Sequence, residues 1–108
     1  MSIAAARVAV PATARKGEIV EVKTLARHPM ETGYRRDDQG QPIPRDIIAR
    51  FEVTYNGTQI FEADLSQGIA ANPFIAFTTV AMETGEIVAR WTDLAGKELV
   101  ARTRITVT

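Results

Sequence analysis

Cysteine is absent from the 108 residues of the chain, and histidine occurs only once. Without a thiol the sequence offers no disulfide, no thiolate nucleophile, no zinc–thiolate site and no iron–sulfur cluster. The single histidine, His28, excludes a multi-histidine metal site within one chain, and Ser2 and Ser66 are the two serines available to a serine-based triad. These absences disfavour an enzyme, and we expect no catalytic activity, no bound cofactor and no bound metal.

Neither sign of charge dominates the chain, because 13 Lys and Arg balance 13 Asp and Glu. Proteins that bind nucleic acid or anionic membranes need surplus positive charge, so we expect neither partner. Long apolar runs are also missing: Arg7 interrupts the first one before it reaches the length of a signal-peptide core. No run approaches the roughly 20 residues of a spanning helix. We expect no signal peptide of its own, which by itself favours the cytoplasm.

Alternation of apolar and polar residues is the pattern that the sequence does contain. From Ile47 to Tyr55 the odd positions are apolar, which predicts a strand with one wet face. Asn56-Gly57 follows, and both residues tolerate the positive φ that a type I′ hairpin turn requires. The next run places Phe61 and Leu65 on one face. We therefore predict a β-hairpin here.

Similar runs recur along the chain between glycine- and proline-containing turns, and none has a sustained helical period. About seven short strands in about 100 residues are typical of an immunoglobulin-like β-sandwich. We predict one all-β domain over residues 1–108, built from about seven antiparallel strands, with Trp91 in its core. The run Phe74–Met82 is almost wholly apolar, which predicts a strand covered on both faces.

The segment from His28 to Asp46 is longer than a hairpin connection requires, and such loops are often functional. It contains two large side chains, Met30 and Tyr34, for which burial under the loop and an interface patch are equal alternatives. Ile48 and Ile60 fall on the wet faces of their predicted strands. Together with the apolar run described above, they indicate that a second chain covers one sheet.

Several loop residues have side chains suited to catalysis or metal binding, but we predict a structural role for each. His28 precedes a proline and is predicted as a turn residue rather than a metal ligand or general base. Asp37-Asp38-Gln39-Gly40 lacks the spacing of a calcium loop and is predicted as a polar hairpin tip. The carboxylates of the loop are predicted to pair with its arginines at the surface.

One stretch resembles a known family. Lys23-Thr24-Leu25-Ala26-Arg27-His28-Pro29-Met30-Glu31-Thr32-Gly33 is similar to the "K-T-L-x-x-H-P-M-E-T-G" run of the SoxZ family of bacterial sulfur-oxidation proteins. The resemblance continues through Pro42–Arg45, Phe61–Leu65, Ala71–Phe74 and Trp91–Asp93, and so covers nearly the whole chain. Position 34 departs from it, since Tyr34 stands where the family has a polar residue.

The resemblance implies a non-catalytic subunit of a heterodimeric sulfur carrier. Members of the family pair with SoxY, whose cysteine, on a glycine-rich C-terminal arm, carries thiosulfate-derived sulfur between the enzymes of the cycle. It also implies a periplasmic location, reached by export together with the partner. We therefore predict contacts with SoxY or with the other enzymes of the cycle at the residues that combine the motif with the unusual loops: His28, Pro29, Met30, Glu31, Thr32, Gly33, Tyr34, Arg35, Arg36, Asn72, Pro73 and Phe74.

Other functions compete with this one. The chain could instead be a β-sandwich accessory or dimerisation module of another oxidoreductase system, or a structural module that forms a homodimer when isolated. A small hydrolase is disfavoured, because the lone histidine has no nucleophile beside it in the sequence.

Overall fold

The computed structural model describes residues 5–108, and they form a β-sandwich of two sheets. The three-stranded sheet has the order β1-β3-β6, and the five-stranded sheet has the order β2-β8-β7-β4-β5. The strands are β1 (Ala6–Ala9), β2 (Thr13–Ala14), β3 (Ile19–Ala26), β4 (Ile48–Tyr55), β5 (Thr58–Asp64), β6 (Phe74–Val80), β7 (Gly85–Asp93) and β8 (Glu98–Val107).

This architecture confirms the predicted immunoglobulin-like sandwich. The described part of the chain has one more strand than the seven expected, because the two-residue β2 was not recognised in the sequence. β2 also pairs in parallel with β8, through Thr13 opposite Thr106, whereas every other strand pair is antiparallel. No helix among residues 5–108 is long and apolar enough to cross a membrane. Residues 1–4, which begin the run tested for a signal peptide and the predicted domain, lie outside the described part.

The predicted hairpin is present as β4 and β5. Asn56 has φ 49° and Gly57 has φ 81°, which is the pair of left-handed conformations that a type I′ turn requires. The Asn56 side chain accepts a hydrogen bond from the backbone N–H of Glu86, at 3.0 Å. A Cβ atom on Gly85 would overlap the Asn56 side chain, so a larger residue where β7 begins would displace Asn56 from this hydrogen bond.

Aromatic side chains cross the core from one sheet to the other. Phe51 on β4 lies opposite Trp91 on β7, with ring centroids 5.0 Å apart. Phe61 on β5 contacts Phe51 and stacks on Phe77 of the other sheet, with centroids 4.5 Å apart. Trp91 is 1% exposed, which confirms its predicted place in the core.

Two isoleucines predicted on wet faces instead pack against the core, because β-bulges change the alternation. Ile48 is 1% exposed, and the pairing of β4 with β7 shifts between Ile48 and Arg50. The pairing of β4 with β5 shifts at Val53, which leaves Ile60 as an extra residue packed partly against the core. A bulge moves the following side chains to the opposite face, so strict alternation fails there.

The strand predicted to be covered on both faces is instead an edge strand. Within residues 5–108, β6 pairs only with β3, and alternate β6 residues are exposed. Phe74 is 62% exposed and Val80 is 44% exposed. Its apolar composition therefore reflects an outer face that residues 5–108 leave open to solvent.

Candidate functional site

Two segments of the predicted site meet at the end of β3. The His28 backbone N–H donates to Asn72 Oδ1 at 2.9 Å, and the Asn72 N–H donates to the His28 carbonyl at 2.8 Å. Just before this pair, Ala26 N–H donates to the Pro73 carbonyl at 3.1 Å. Asn72 has φ 53°, a left-handed conformation that asparagine tolerates better than most residues. The structure thus places the motif next to the loop that leads into β6.

The His28 ring has both nitrogens engaged. Nδ1 accepts a hydrogen bond from the Met30 backbone N–H at 2.9 Å, and Nε2 lies 3.3 Å from Asp46 Oδ1. Because Nδ1 is an acceptor, the proton of the neutral ring is assigned to Nε2, which donates to Asp46. His28 is therefore a turn residue bonded to backbone and loop.

Asp46 and Asp93 join His28 in a cluster whose ligand atoms lie within 4.8 Å of one another. This cluster was not predicted, because its members are far apart in sequence and meet only through strand pairing. A metal ligated by Nε2 would require the proton to move to Nδ1, where it would oppose the Met30 N–H. The hydrogen bonding of the ring thus opposes metal binding.

A cleft of about 420 Å³ opens beside this cluster. Trp91 lines the cleft, and its buried indole N–H has no acceptor among the described residues. The charges around the cleft are mixed and fit no single class of charged ligand. The lining residues are Arg27, His28, Asp46, Ile48, Trp91, Asp93, Lys97, Glu98 and Leu99.

Met30 lies in the core, with 4% of its surface exposed. Its Sδ atom accepts a hydrogen bond from the Ile48 backbone N–H at 3.3 Å, and its own φ is 49°. Of the two alternatives for this residue, the structure favours burial under the loop. A side chain so little exposed contributes almost no area to a partner contact.

Glu31 and Arg35 form an ion pair at the surface of the loop. Arg35 Nε donates to both carboxylate oxygens of Glu31, at 3.2 and 3.1 Å, and Arg35 Nη2 also donates to this carboxylate. These hydrogen bonds lower the pKa of Glu31 below its ordinary value and raise that of Arg35. Glu31 also exchanges backbone hydrogen bonds with Asp46, which close the base of the loop.

Tyr34 is 73% exposed and stands on a surface made by two loops. The Arg45 guanidinium lies 5.9 Å from the centre of its ring, and Gln67 Nε2 donates to its hydroxyl at 2.8 Å. Thr32 Oγ1 accepts from the Tyr34 N–H at 3.1 Å. Gly33, with φ 89°, leaves room for the Arg45 side chain to pack against the backbone. The Tyr34 side chain is therefore exposed, and its contacts with Arg45 and Gln67 fix its position.

The most distant part of the loop is a polar hairpin turn, as predicted. Asp37 Oδ1 accepts hydrogen bonds from the backbone N–H groups of Gln39 and Gln41, each at 2.9 Å. Arg36 donates to the Gly40 carbonyl at 2.9 Å and pairs across the ribbon with Pro42. The Asp37 carboxylate thus accepts the hydrogen bonds that form the turn.

The predicted site residues thus fall into two groups. The exposed group can touch another protein and contains Pro29, Tyr34, Arg35, Arg36, Asn72 and Phe74. The buried or half-buried group supports the loop from below and contains His28, Met30, Glu31, Thr32, Gly33 and Pro73. Partner contact at these positions stays a prediction.

Solved structures with the same fold come from proteins of different function. A superoxide reductase (neelaredoxin) from Ignicoccus hospitalis has a TM-score of 0.73 and 17% identity, covering 95% of this chain and 80% of that one. The sulfur carrier protein SoxY from Chlorobium limicola f thiosulfatophilum has a TM-score of 0.68 and 15% identity, covering 98% and 81%. A CARDB domain from Pyrococcus furiosus has a TM-score of 0.60 and 15% identity, covering 94% and 89%. At these identities the likeness establishes the fold alone.

Sequence comparison with families is more specific than this likeness of fold. No curated protein matches the chain in a sequence search. The model of the family described as sulphur oxidation protein SoxZ matches residues 7–104. This match spans both sheets and the whole loop from His28 to Asp46. The chain therefore belongs to the SoxZ family of sulphur oxidation proteins.

Proposed function

We propose that the chain is the non-catalytic scaffold subunit of a heterodimeric sulfur carrier. Its partner is a SoxY-type subunit whose cysteine carries sulfur derived from thiosulfate. The observation that carries this proposal is the family match over residues 7–104. The pair works in the periplasm and is exported together.

The absence of thiols from the 108 residues supports separate roles for two chains, one that carries sulfur and one that supports the carrier. Sulfur held as a thiosulfonate or persulfide needs a cysteine thiolate for its attachment. A free thiol on the neighbouring subunit would exchange with the bound sulfur and release it. A scaffold without cysteine holds the carrier subunit while leaving its cargo intact.

The hydrogen bonding of His28 supports a non-catalytic role. A general base needs a free lone pair directed at the group that it deprotonates. The lone pair on Nδ1 is directed at the Met30 N–H, and Nε2 faces the carboxylate of Asp46. Ser66 Oγ accepts from the Gly68 N–H and lies in a turn. The geometry of these two residues therefore favours structural roles.

The fold that this chain shares with a protein titled as the sulfur carrier SoxY supports the choice of partner. Two subunits of the same fold can associate through equivalent surfaces, as the protomers of a symmetric dimer do. The 15% identity leaves the two surfaces free to differ in chemistry, as a specific mixed pair requires.

The exposed tip of the loop suits brief contacts with the enzymes that load and unload the carrier. Arg35 and Arg36 are exposed there, and Tyr34 stands beside them. Charged surface groups speed encounters without making complexes long-lived. Changing both arginines to glutamate is expected to slow turnover in a reconstituted thiosulfate-oxidation cycle. Unaltered turnover would refute this role for the tip.

The partner assignment is tested by mixing the purified chain with a SoxY-type subunit and measuring the mass of the complex by light scattering. We expect a one-to-one heterodimer. A chain that stays alone, or that pairs only with itself, would contradict the assignment. A chain that copurifies from cells with another oxidoreductase would favour the accessory-module alternative. Cell fractionation with and without the partner gene tests co-export, with loss of the chain from the periplasm expected when the partner is removed.

A further inference from the structure

The free edge of β6 carries a regular row of backbone groups that no described residue pairs. Backbone bonds join Ala81 to Glu18 and Ala26 to Pro73, on either side of the pairing of β3 with β6. In an antiparallel ladder the hydrogen-bonded pairs alternate with pairs that face outward. The N–H and C=O groups that point away from β3 therefore belong to Phe74, Ala76, Thr78 and Val80.

This edge lacks the protection that edge strands usually carry. Charged side chains, prolines and bulges commonly prevent an edge from pairing with another chain. The free edge of β5 has such features, namely a bulge after Val53 and the charged residues Glu62 and Asp64. The seven residues from Phe74 to Val80 include no charge and no proline, and their pairing with β3 has no register shift.

The surface beside this edge is apolar. Phe74 and Val80 are exposed on the outer face, and Ile19, paired with Val80, is 70% exposed. Met82, just beyond the strand, is 51% exposed. A groove of about 360 Å³ runs between β5 and the end of β6, lined in part by Ile60, Val80 and Met82. An edge open to pairing thus adjoins apolar side chains that a neighbour would bury.

We infer that β6 is the docking strand for the SoxY-type partner, which adds a strand of its own sandwich to the three-stranded sheet. This inference rests on the proposed function. Another extended strand can form hydrogen bonds with backbone groups at this regular spacing. The exposed apolar residues favour apolar side chains on that added strand. A seven-residue strand offers an edge of roughly 23 Å, long enough for the centre of a standard interface.

The choice of occupant follows from the fold. SoxY aligns with 98% of this chain at a TM-score of 0.68, so a SoxY-type partner has a matching sandwich with sheet edges of its own. Strands of like sandwiches can join into one continuous sheet across an approximate twofold axis. Outward-facing Glu21 and Lys23, paired with Thr78 and Ala76, offer polar contacts of both signs next to this seam.

A charge placed on the edge tests the inference. The T78K substitution puts a lysine on an exposed position of β6, where it leaves folding intact but opposes strand addition. The matched control is T106K, because Thr106 is an exposed residue on the outer face of β8 at a position that already pairs with β2. We expect T78K to raise the Kd for the partner by about tenfold or more, and T106K to change it by less than about twofold.

Equal Kd values for the two variants and the unaltered chain would overturn the inference and leave the proposed function standing. Failure of the unaltered chain to bind the partner would overturn both. Self-association of the unaltered chain that T78K abolishes, in place of partner binding, would assign the edge to a second copy and overturn the partner as its occupant.

Amide hydrogen exchange gives a second, residue-level readout on the unaltered chain. Exchange at Phe74, Ala76, Thr78 and Val80 should slow when the partner binds, while Ile75, Phe77 and Thr79 are already paired with β3 and change less. This alternation is the signature of strand addition. Uniform slowing along β6, or none, would overturn the inference even if the partner binds nearby.

Discussion

His28 and Asn72, 44 residues apart in the sequence, are joined by two hydrogen bonds of 2.9 and 2.8 Å. One uses the Asn72 side chain and the other uses its backbone N–H. The pair fastens the end of β3 to the loop that enters β6. These bonds thus hold the start of β6, the strand to which we infer that the partner docks.

Asn72 is expected to be important for stability. The N72A substitution removes the acceptor for the His28 N–H and places a less tolerant residue at φ 53°. We expect it to lower the free energy of unfolding by about 1–3 kcal/mol in urea denaturation. N72G is the matched control, because glycine keeps the backbone conformation and loses only the side-chain bond. Equal stability of all three proteins would contradict this account.

Substitutions at Met30 distinguish a core residue from an anchor for the partner. M30A should lower the free energy of unfolding by about 2–4 kcal/mol, since it leaves a cavity under the loop. M30L keeps most of the volume but removes the sulfur that accepts from the Ile48 N–H, so a smaller loss is expected. An M30A protein of unchanged stability that binds the partner weakly would instead identify Met30 as an anchor.

His28 is expected to act as a hydrogen-bond acceptor within its turn. H28N offers a side-chain oxygen near the position of Nδ1, whereas H28A leaves the Met30 N–H without that partner. We expect H28A to cost about 1 kcal/mol more than H28N in unfolding free energy. Excess Zn²⁺ should leave the melting temperature of the unaltered chain unchanged. Zinc stabilisation that H28N abolishes would contradict the assigned proton on Nε2.

The Glu31–Arg35 pair should make stability depend on acid pH. The hydrogen bonds from Arg35 hold the pKa of Glu31 below its ordinary value of 4.5. Because the folded-state pKa is the lower one, the pair stabilises the fold fully above that ordinary value. Its contribution is lost as the pH falls through the lowered pKa. R35Q should therefore return the Glu31 pKa toward 4.5, as measured by NMR titration.

Glu62 supplies an internal control in the same titration. Arg50 and Gln59 lower the pKa of Glu62 through hydrogen bonds on the five-stranded sheet, which R35Q leaves untouched. A Glu31 pKa that stays low in R35Q would refute the ion pair as its cause.

Regular local patterns made much of the fold predictable. The Asn56-Gly57 turn and the alternation in β4, β7 and β8 each depend on residues close together in sequence. Ile48 and Ile60 were misplaced, because a β-bulge depends on how two strands pair and leaves little trace in either one. The exposure of β6 was missed for a related reason, since the same apolar run suits a covered strand or an interface.

Partner contact at the predicted site residues stays a prediction, and the arrangement of these residues could not be predicted from the sequence. The motif around His28 identified the family, yet its contacts with Asp46, Asp93 and Asn72 depend on long-range pairing. The sequence left Met30 equally between burial and interface, and its burial in the folded chain, with its bond to the Ile48 N–H, distinguishes them.

The central claim is that this chain supports a sulfur carrier without carrying sulfur itself. The most direct measurement is mass spectrometry of the complex purified from cells grown on thiosulfate, first intact and then with its subunits separated. We expect a heterodimer in which the partner gains sulfur-containing mass and this chain keeps its mass of 11.8 kDa. Sulfur adducts on this chain, or a chain found alone or only with itself, would contradict the account.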